Sequence, residues 1–237
     1  MEAVNLSLND FNEDGLYLIF PDSSRVVLSK EKIEQFASQF LEDPAKVPAS
    51  CKKAVDFQNC VICPKRGTGE FCDALRPTLP FLEMIDRYVS FDKVTVVFKE
   101  KNSGLLHVRN TDMQKALQFL SMLSLIHYCE VGHSYAKYFL GVMPLMEIEE
   151  VAERIYLNIY WHCRGDVPKM KEIIGKFSQE IRHTSQCQIR RLGTICKNDA
   201  FINAFVLTQL VADLVSMMND DDLTKSFNDF EKKYSHP

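Results

Sequence analysis

Short apolar runs separated by turn residues mark the first 110 positions of the chain. Leu16–Phe20 and Arg25–Leu28 flank a Pro-Asp-Ser-Ser turn, which is typical of a β-hairpin. Lys93–Lys99 and Leu105–Arg109 flank a polar turn that ends in glycine, and they predict a second hairpin. We expect the two hairpins to share one small antiparallel sheet.

Apolar spacings of three and four residues predict helices in the rest of the chain. Ser29 is placed to cap a first helix that ends near Asp43, and Leu79–Tyr88 also has a helical pattern. Thr111 and Gln114 form a capping box before an apolar helix that continues to Leu125. The remaining predicted helices are Ile148–Trp161, Val167–Arg190, Asn198–Met218 and Leu223–Tyr234.

These elements predict an α+β fold, with a small antiparallel sheet from two hairpins, a cysteine-rich loop and a C-terminal helical bundle. Residues 1–110 would form the sheet-containing part with the Cys loop at 44–80, and residues 111–237 the bundle. We expect the two parts to pack as one unit.

The amino-acid composition argues against several classes of function. Lys and Arg number 28 against 32 Asp and Glu, so the net charge of −4 argues against binding to nucleic acid. Met1–Gly15 is acidic and has no continuous apolar run, so we expect no secretory signal and a cytoplasmic location. Phe201–Met218 is interrupted by Asn203, Gln209 and Asp213, which predicts a buried helix of a soluble protein and no membrane association.

Four of the eight cysteines lie within 22 residues of the predicted Cys loop: Cys51, Cys60, Cys63 and Cys72. The C-x2-C pair can bind one ion from a tight turn, and the flanking cysteines can complete a tetrahedral set of four sulfurs. Nearby Lys and Arg residues favour deprotonated sulfur. We therefore predict a structural zinc site, with no open position for water or substrate and hence no catalytic metal.

Two other states of these cysteines stay open. Pro64 after Cys63 is a feature of iron–sulfur proteins, although their closer cysteine spacing is absent, and the thiols can also remain free of metal or be redox-active. The other cysteines are expected to pack as small apolar residues in the helical half: Cys129, Cys163, Cys187 and Cys196.

Two Glu-x-x-His pairs offer a different chemistry. Glu130 with His133, and Glu180 with His183, match the pair that di-iron carboxylate proteins place on two helices of a bundle. The apolar stripe of the Ile148–Trp161 helix turns its acidic residues toward water, which argues against further carboxylate ligands. Asp220, Asp222 and Glu231 are interpreted as helix-capping acids rather than a calcium loop, and Arg182, Arg190, Arg191 and Lys197 as a solvated basic face.

Several segments together resemble an uncharacterised bacterial family of unknown function that contains cysteines. They are Cys60–Cys72 with its Cys-Val-Ile-Cys-Pro start, Tyr128–Pro144, Glu149–Arg154 and Asn198–Phe205. The resemblance implies a bacterial, cytosolic context and carries no reaction, ligand or fold.

The leading interpretation is a cytosolic metal-binding protein with a structural four-cysteine site and a regulatory or partner-binding role. We expect an unknown protein partner and no enzymatic activity. The alternative is an iron-dependent redox protein or enzyme, with an iron–sulfur cluster at the same cysteines or a di-iron centre in the bundle.

Overall fold

A four-stranded antiparallel sheet forms one side of the protein, as the two hairpin patterns predict. The computed structural model describes residues 11–49, 51–81, 87–100 and 104–218. The strands are β1 (Gly15–Ile19), β2 (Arg25–Leu28), β3 (Lys93–Lys99) and β4 (Leu106–Asp112), in the spatial order β2-β1-β3-β4. The two hairpins are therefore joined through β1 and β3, and the expected α+β fold is confirmed.

The alternation along β1 places apolar side chains on both faces of the sheet. Leu16 and Leu18 join the large core that also holds Val96, whereas Tyr17 and Ile19 pack into a small cluster on the opposite face. The register pairs Leu18 of β1 with Val96 of β3, so the same face of neighbouring strands is buried.

Helix α1 (Lys30–Glu42) follows β2 and begins where its sequence predicts. The Ser29 hydroxyl accepts a hydrogen bond from the Lys32 backbone N–H at 3.2 Å, which satisfies a free donor at the helix start. Ile33 and Ala37 are the fully buried positions of the helix, and they fix its face against the core.

The predicted Cys loop at 44–80 contains more regular structure than its composition suggests. It includes a 3₁₀ turn at Pro44–Lys46, the single-turn α2 (Lys52–Val55) and a 3₁₀ helix at Asp73–Phe81. Prolines at 77 and 80 lie inside the last of these, which fits a tight, short helix rather than a long α-helix. The helix predicted at Leu79–Tyr88 extends beyond it into residues 82–86, which lie outside the described residues.

Helix α3 (Met113–Leu123) begins one residue later than the predicted capping box requires. Asp112, not Thr111, is the N-cap, and its carboxylate accepts from the Lys115 N–H at 3.0 Å. The predicted capping role of Thr111 is wrong because the helix begins at Met113, and the side chain that accepts a bond from its first turn is that of Asp112, the last residue of β4. The chain then continues as a π-helical turn at Ser124–Tyr128 and, after Cys129, a 3₁₀ segment at Gly132–Phe139.

The helical half is completed by α4 (Ile148–Cys163), α5 (Val167–Leu192) and α6 (Ala200–Met217), close to the predicted bounds. Helix α6 packs against α3, α4 and α5. By length and composition it is the one described helix that could cross a membrane, but residues such as Phe201, Phe205 and Val211 are buried in the protein, as in the core helix of a soluble fold. The helix predicted at Leu223–Tyr234 lies outside the described residues.

Candidate functional site

The C-x2-C segment folds into two successive tight turns. The Cys63 N–H donates to the Cys60 carbonyl at 3.0 Å, and the Arg66 N–H donates to the Cys63 carbonyl at 3.0 Å. Gly67 and Gly69 follow with φ values of 79° and 77°, a region that non-glycine residues rarely adopt. The backbone turn at the C-x2-C pair is as predicted, and the Cys63 thiol interacts electrostatically with Cys60.

Five cysteine thiols interact with one another at this end of the loop, and we call them the thiol cluster: Cys60, Cys63, Cys72, Cys129 and Cys187. The Cys60 thiol is in hydrogen-bonding contact with the Cys187 sulfur, and the other three interact electrostatically with Cys60. None of the eight cysteines forms a disulfide. Cys129 and Cys187, which the sequence analysis interprets as apolar packing residues, therefore lie beside three of the predicted ligands.

Cys51, the fourth predicted ligand, occupies a different setting. It directly precedes α2, is 1% exposed, and belongs to the same apolar core as Leu75 and Leu79. Its role as a ligand stays a prediction. Within the described ranges, no three Cys, His, Asp or Glu side chains stand close enough to enclose an ion.

Arg191 of α5 lies beside the thiol cluster and is completely buried. Its Nη1 donates to the Ala54 carbonyl at 2.7 Å and its Nη2 to Asn59 Oδ1 at 3.3 Å, while the guanidinium lies over the Phe57 ring, 5.3 Å from its centre. The Nε atom has no partner, and no carboxylate of the described residues lies within 4.0 Å of the guanidinium. The interpretation of Arg191 as part of a solvated basic face is therefore wrong.

The buried guanidinium changes the charge preferences of the neighbouring sulfurs. The hydrogen bond from Cys60 and the proximity of Arg191 lower the pKa of the Cys187 thiol, and the same hydrogen bond together with burial raises the pKa of Cys60. Burial raises the pKa of Cys72, with Arg191 acting in the opposite direction. Burial also raises the pKa of Cys129 to about 12. Arg191 therefore favours negative charge on the sulfurs of Cys72 and Cys187.

Polar contacts hold the loop around the cluster. The Asn59 side-chain amide donates to the carbonyls of Lys65 at 3.3 Å and Glu70 at 3.1 Å. Lys65 Nζ contacts Asp73 Oδ2 at 2.6 Å and Glu130 Oε1 at 2.9 Å, and these hydrogen bonds raise the pKa of Lys65. The Asn59 and Asp73 contacts hold the loop to itself, and the contact with Glu130 ties it to the segment that follows α3.

The two Glu-x-x-His pairs have other local partners. Glu130 is bound to Lys65, and Glu180 accepts a 2.7 Å hydrogen bond from the Tyr135 hydroxyl. His133 is exposed, and His183 Nδ1 lies 2.8 Å from the Gln179 carbonyl of its own helix. The di-iron site stays a prediction, and these contacts give it no further support.

A groove of about 1240 Å³ lies between the start of α1, the sheet and the π-helical turn. Tyr128 of that turn lies on the groove, and burial together with the nearby Glu34 raises its pKa to about 12. Gly132 packs so closely on the turn that an added Cβ would stand 1.7 Å from the Leu125 carbonyl oxygen. A larger residue at 132 would therefore force the turn, and with it one wall of the groove, to move.

No protein-family model, curated protein or solved structure matches the chain. The resemblance to an uncharacterised bacterial family therefore stays a prediction, and the functional conclusion depends on the geometry of the thiol cluster.

The sequence analysis misses the contribution of α5 to this site. A signal was present, because Ile181, Thr184, Cys187 or Gln188, and Arg191 follow one another at helical spacings of three and four. An arginine at the end of an apolar stripe that also carries a cysteine is a candidate for a buried polar site.

Proposed function

We propose that this protein binds zinc through the cysteines of its loop and that the bound metal has a structural role. Cys60, Cys63 and Cys72 form the common part of the site. The observation that carries the proposal is that four cysteines interact with Cys60, and that two of them, Cys72 and Cys187, also interact with a buried guanidinium. Cysteines that only fill a core do not require a cation among them.

Several features support zinc among the metals. Thiolate ligands favour zinc, copper(I) and iron–sulfur clusters over magnesium or calcium. The hydrogen-bonding contact between Cys60 and Cys187 supplies two sulfurs on neighbouring positions of such a thiolate site. We include a reducing, cytoplasmic environment in the proposal, because it keeps cysteines available as thiolate ligands.

A regulatory or partner-binding role without catalysis is part of the same proposal. Four sulfur ligands leave no position for a substrate or an activated water. Val61 and Ile62, between the cysteines of the C-x2-C pair, are 61% and 37% exposed, so the metal loop presents apolar side chains at its tip. Such a surface suits contact with a protein partner.

Metal analysis of protein purified without oxygen tests the proposal. We expect about one zinc per chain in the wild type, and a loss of most of that zinc in the double variant C60S/C63S. C163S is the matched control, because Cys163 is a buried cysteine of the apolar bundle core and its replacement leaves the metal content unchanged. A folded wild-type protein without stoichiometric metal contradicts the proposal, and iron with a visible absorption band identifies the iron–sulfur alternative instead.

A second candidate, a dithiol redox pair, is favoured by the contact between Cys60 and Cys187. With a peroxide as oxidant, the two thiols would give one disulfide and two equivalents of water, with both electrons passing from sulfur to the peroxide oxygens. A stable Cys60–Cys187 disulfide after peroxide treatment of metal-free protein, reversed by dithiothreitol, supports this candidate. Its absence, together with bound zinc, rejects it.

A further inference from the structure

We infer that Cys187 is the fourth sulfur ligand of the proposed zinc site and that Arg191, one helical turn further along α5, is its buried counter-charge. The inference rests on the proposed function. It replaces Cys51, which the sequence spacing suggests, by a cysteine of the helical half.

The position of Cys187 favours it as the ligand. It is 2% exposed, lies on the long helix α5, and contacts the Cys60 sulfur directly. Cys129 also interacts with Cys60 and Cys72, but only electrostatically. A ligand on α5 would join the Cys loop to the bundle through the metal, whereas a set confined to residues 51–72 would bind the loop only to itself.

The charge balance assigns the role of Arg191. Four thiolates around a divalent ion carry a net charge of −2, which is costly to bury without a compensating cation. Arg191 is fully buried, interacts with the sulfurs of both Cys72 and Cys187, and has no carboxylate partner in the described part of the chain. A guanidinium in that setting itself requires a nearby negative charge, and thiolates supply it.

Gln188 adds an independent indication of a polar site. Its Nε2 donates to Cys72 Sγ at 3.4 Å, as expected for a donor that stabilises a sulfur with negative charge. Its Oε1 and the Arg191 Nε are buried without partners. Two unsatisfied polar atoms on neighbouring turns of one helix, on residues that interact with Cys72, indicate a site that is incomplete without a further group.

Cobalt(II) substitution identifies the ligands in the full-length chain. A tetrahedral four-sulfur site gives intense sulfur-to-cobalt charge-transfer absorption that scales with the number of bound thiolates. We expect C187S to lose about one quarter of this absorption and to bind zinc at least roughly 100-fold more weakly than the wild type. C51S and C129S should retain both the absorption and the affinity.

The counter-charge is tested by a pair of neighbouring variants. R191M is expected to weaken zinc binding roughly 10- to 100-fold with the number of bound thiolates unchanged. R190M removes an exposed arginine one residue away and should leave the affinity within about threefold. Far-UV circular dichroism confirms that each variant is folded. If R191M proves unstable, R191K takes its place, and because it keeps the positive charge it should retain part of the zinc affinity.

The outcomes separate this inference from the proposed function. If the wild type binds no zinc or cobalt, the proposed function fails. If the wild type binds metal but C51S or C129S, rather than C187S, loses the charge-transfer intensity, the proposed function stands and the assignment of Cys187 is overturned. Equal affinities for R191M and R190M overturn the role of Arg191.

Discussion

The two halves of helix α5 bury different kinds of side chain. The first half places Met170, Ile174, Phe177 and Ile181 in the apolar core of the bundle. The second half buries mostly polar or reactive groups: Thr184, Ser185, Cys187, Gln188 and Arg191. One continuous helix therefore serves as an ordinary core element at one end and as the wall of a polar site at the other.

Close apolar packing is sufficient to explain the side chains of the first half but not those of the second. Apolar burial gains free energy wherever the packing is close, so the first half needs no further explanation. A buried arginine and glutamine with unsatisfied atoms are costly in themselves. Their presence on the second half distinguishes this end of the helix as a polar site, where we infer the contact with the thiol cluster.

The largest effect is expected in the apolar half. Phe177 is fully buried and packs edge-on against Tyr135 at a centroid distance of 5.2 Å. Phe177→Ala should lower the free energy of unfolding by about 3–5 kcal/mol because it leaves a cavity. Urea denaturation measures this loss, and zinc content per folded chain should not change. A loss of metal in folded F177A would show that the two halves are coupled.

Replacement of Arg191 should have the next largest effect on stability. In metal-free protein, Arg191→Met leaves the Ala54 carbonyl without its buried donor, which costs about 1–3 kcal/mol. The loss should be greater with zinc bound, because the guanidinium then also compensates the thiolates. Urea denaturation with and without zinc measures both values. Equal losses in the two states would argue against an electrostatic link between Arg191 and the metal.

Tyr135 makes the apolar half sensitive to alkaline pH. Burial and the hydrogen bond to Glu180 raise its pKa above the ordinary value. Above about pH 10 the unfolded chain loses this proton while the folded chain keeps it, so the contribution to stability is present below that pH and declines as the pH rises further. Tyr135→Phe should cost about 1.5 kcal/mol at neutral pH, with a difference from the wild type that shrinks above pH 10. Thermal denaturation at pH 7 to 11 measures it, and a constant difference would refute the assignment.

The smallest effect is expected at Ser185, at the border between the halves. Its hydroxyl donates to the Phe205 carbonyl of α6 at 2.6 Å, in a buried contact. Ser185→Ala should cost about 0.5–1.5 kcal/mol, the usual net value of one hydrogen bond, and should leave zinc affinity unchanged. Chemical denaturation and competition with a zinc indicator measure the two quantities. A tenfold change in affinity would extend the polar site further along α5 than we infer.

Features encoded by neighbouring residues could be predicted from the sequence. The Ser29 cap and both hairpins depend on contacts within a few positions, and they are confirmed with small shifts of their bounds. Thr111 and Asp112 are both good cap residues and both pair with β3, so their local sequence does not decide between them. The hydrogen bond from the Lys115 N–H to the Asp112 carboxylate identifies the cap only in the folded structure.

The arrangement of the candidate site could not be predicted in the same way. Arg191 and Ala54 are 137 positions apart, and Gln188 and Cys72 are 116 apart, so no local spacing joins them. The π-helical turn at Ser124–Tyr128 has no periodic pattern of its own in the sequence. The turn needs a glycine at position 132 because of the close contact with Leu125, and that contact is known only from the structure. What sequence spacing did identify was the C-x2-C turn, whose geometry is local.

The anchors at Asn59 and Lys65 have a consequence for how an ion would be acquired. Because they fasten the segment through carbonyl and carboxylate contacts, much of its conformational entropy is lost before any ion arrives. Loading would then rearrange side chains within an already folded loop rather than drive folding as in a zinc finger, so chelators should remove the ion while the backbone signal in circular dichroism persists.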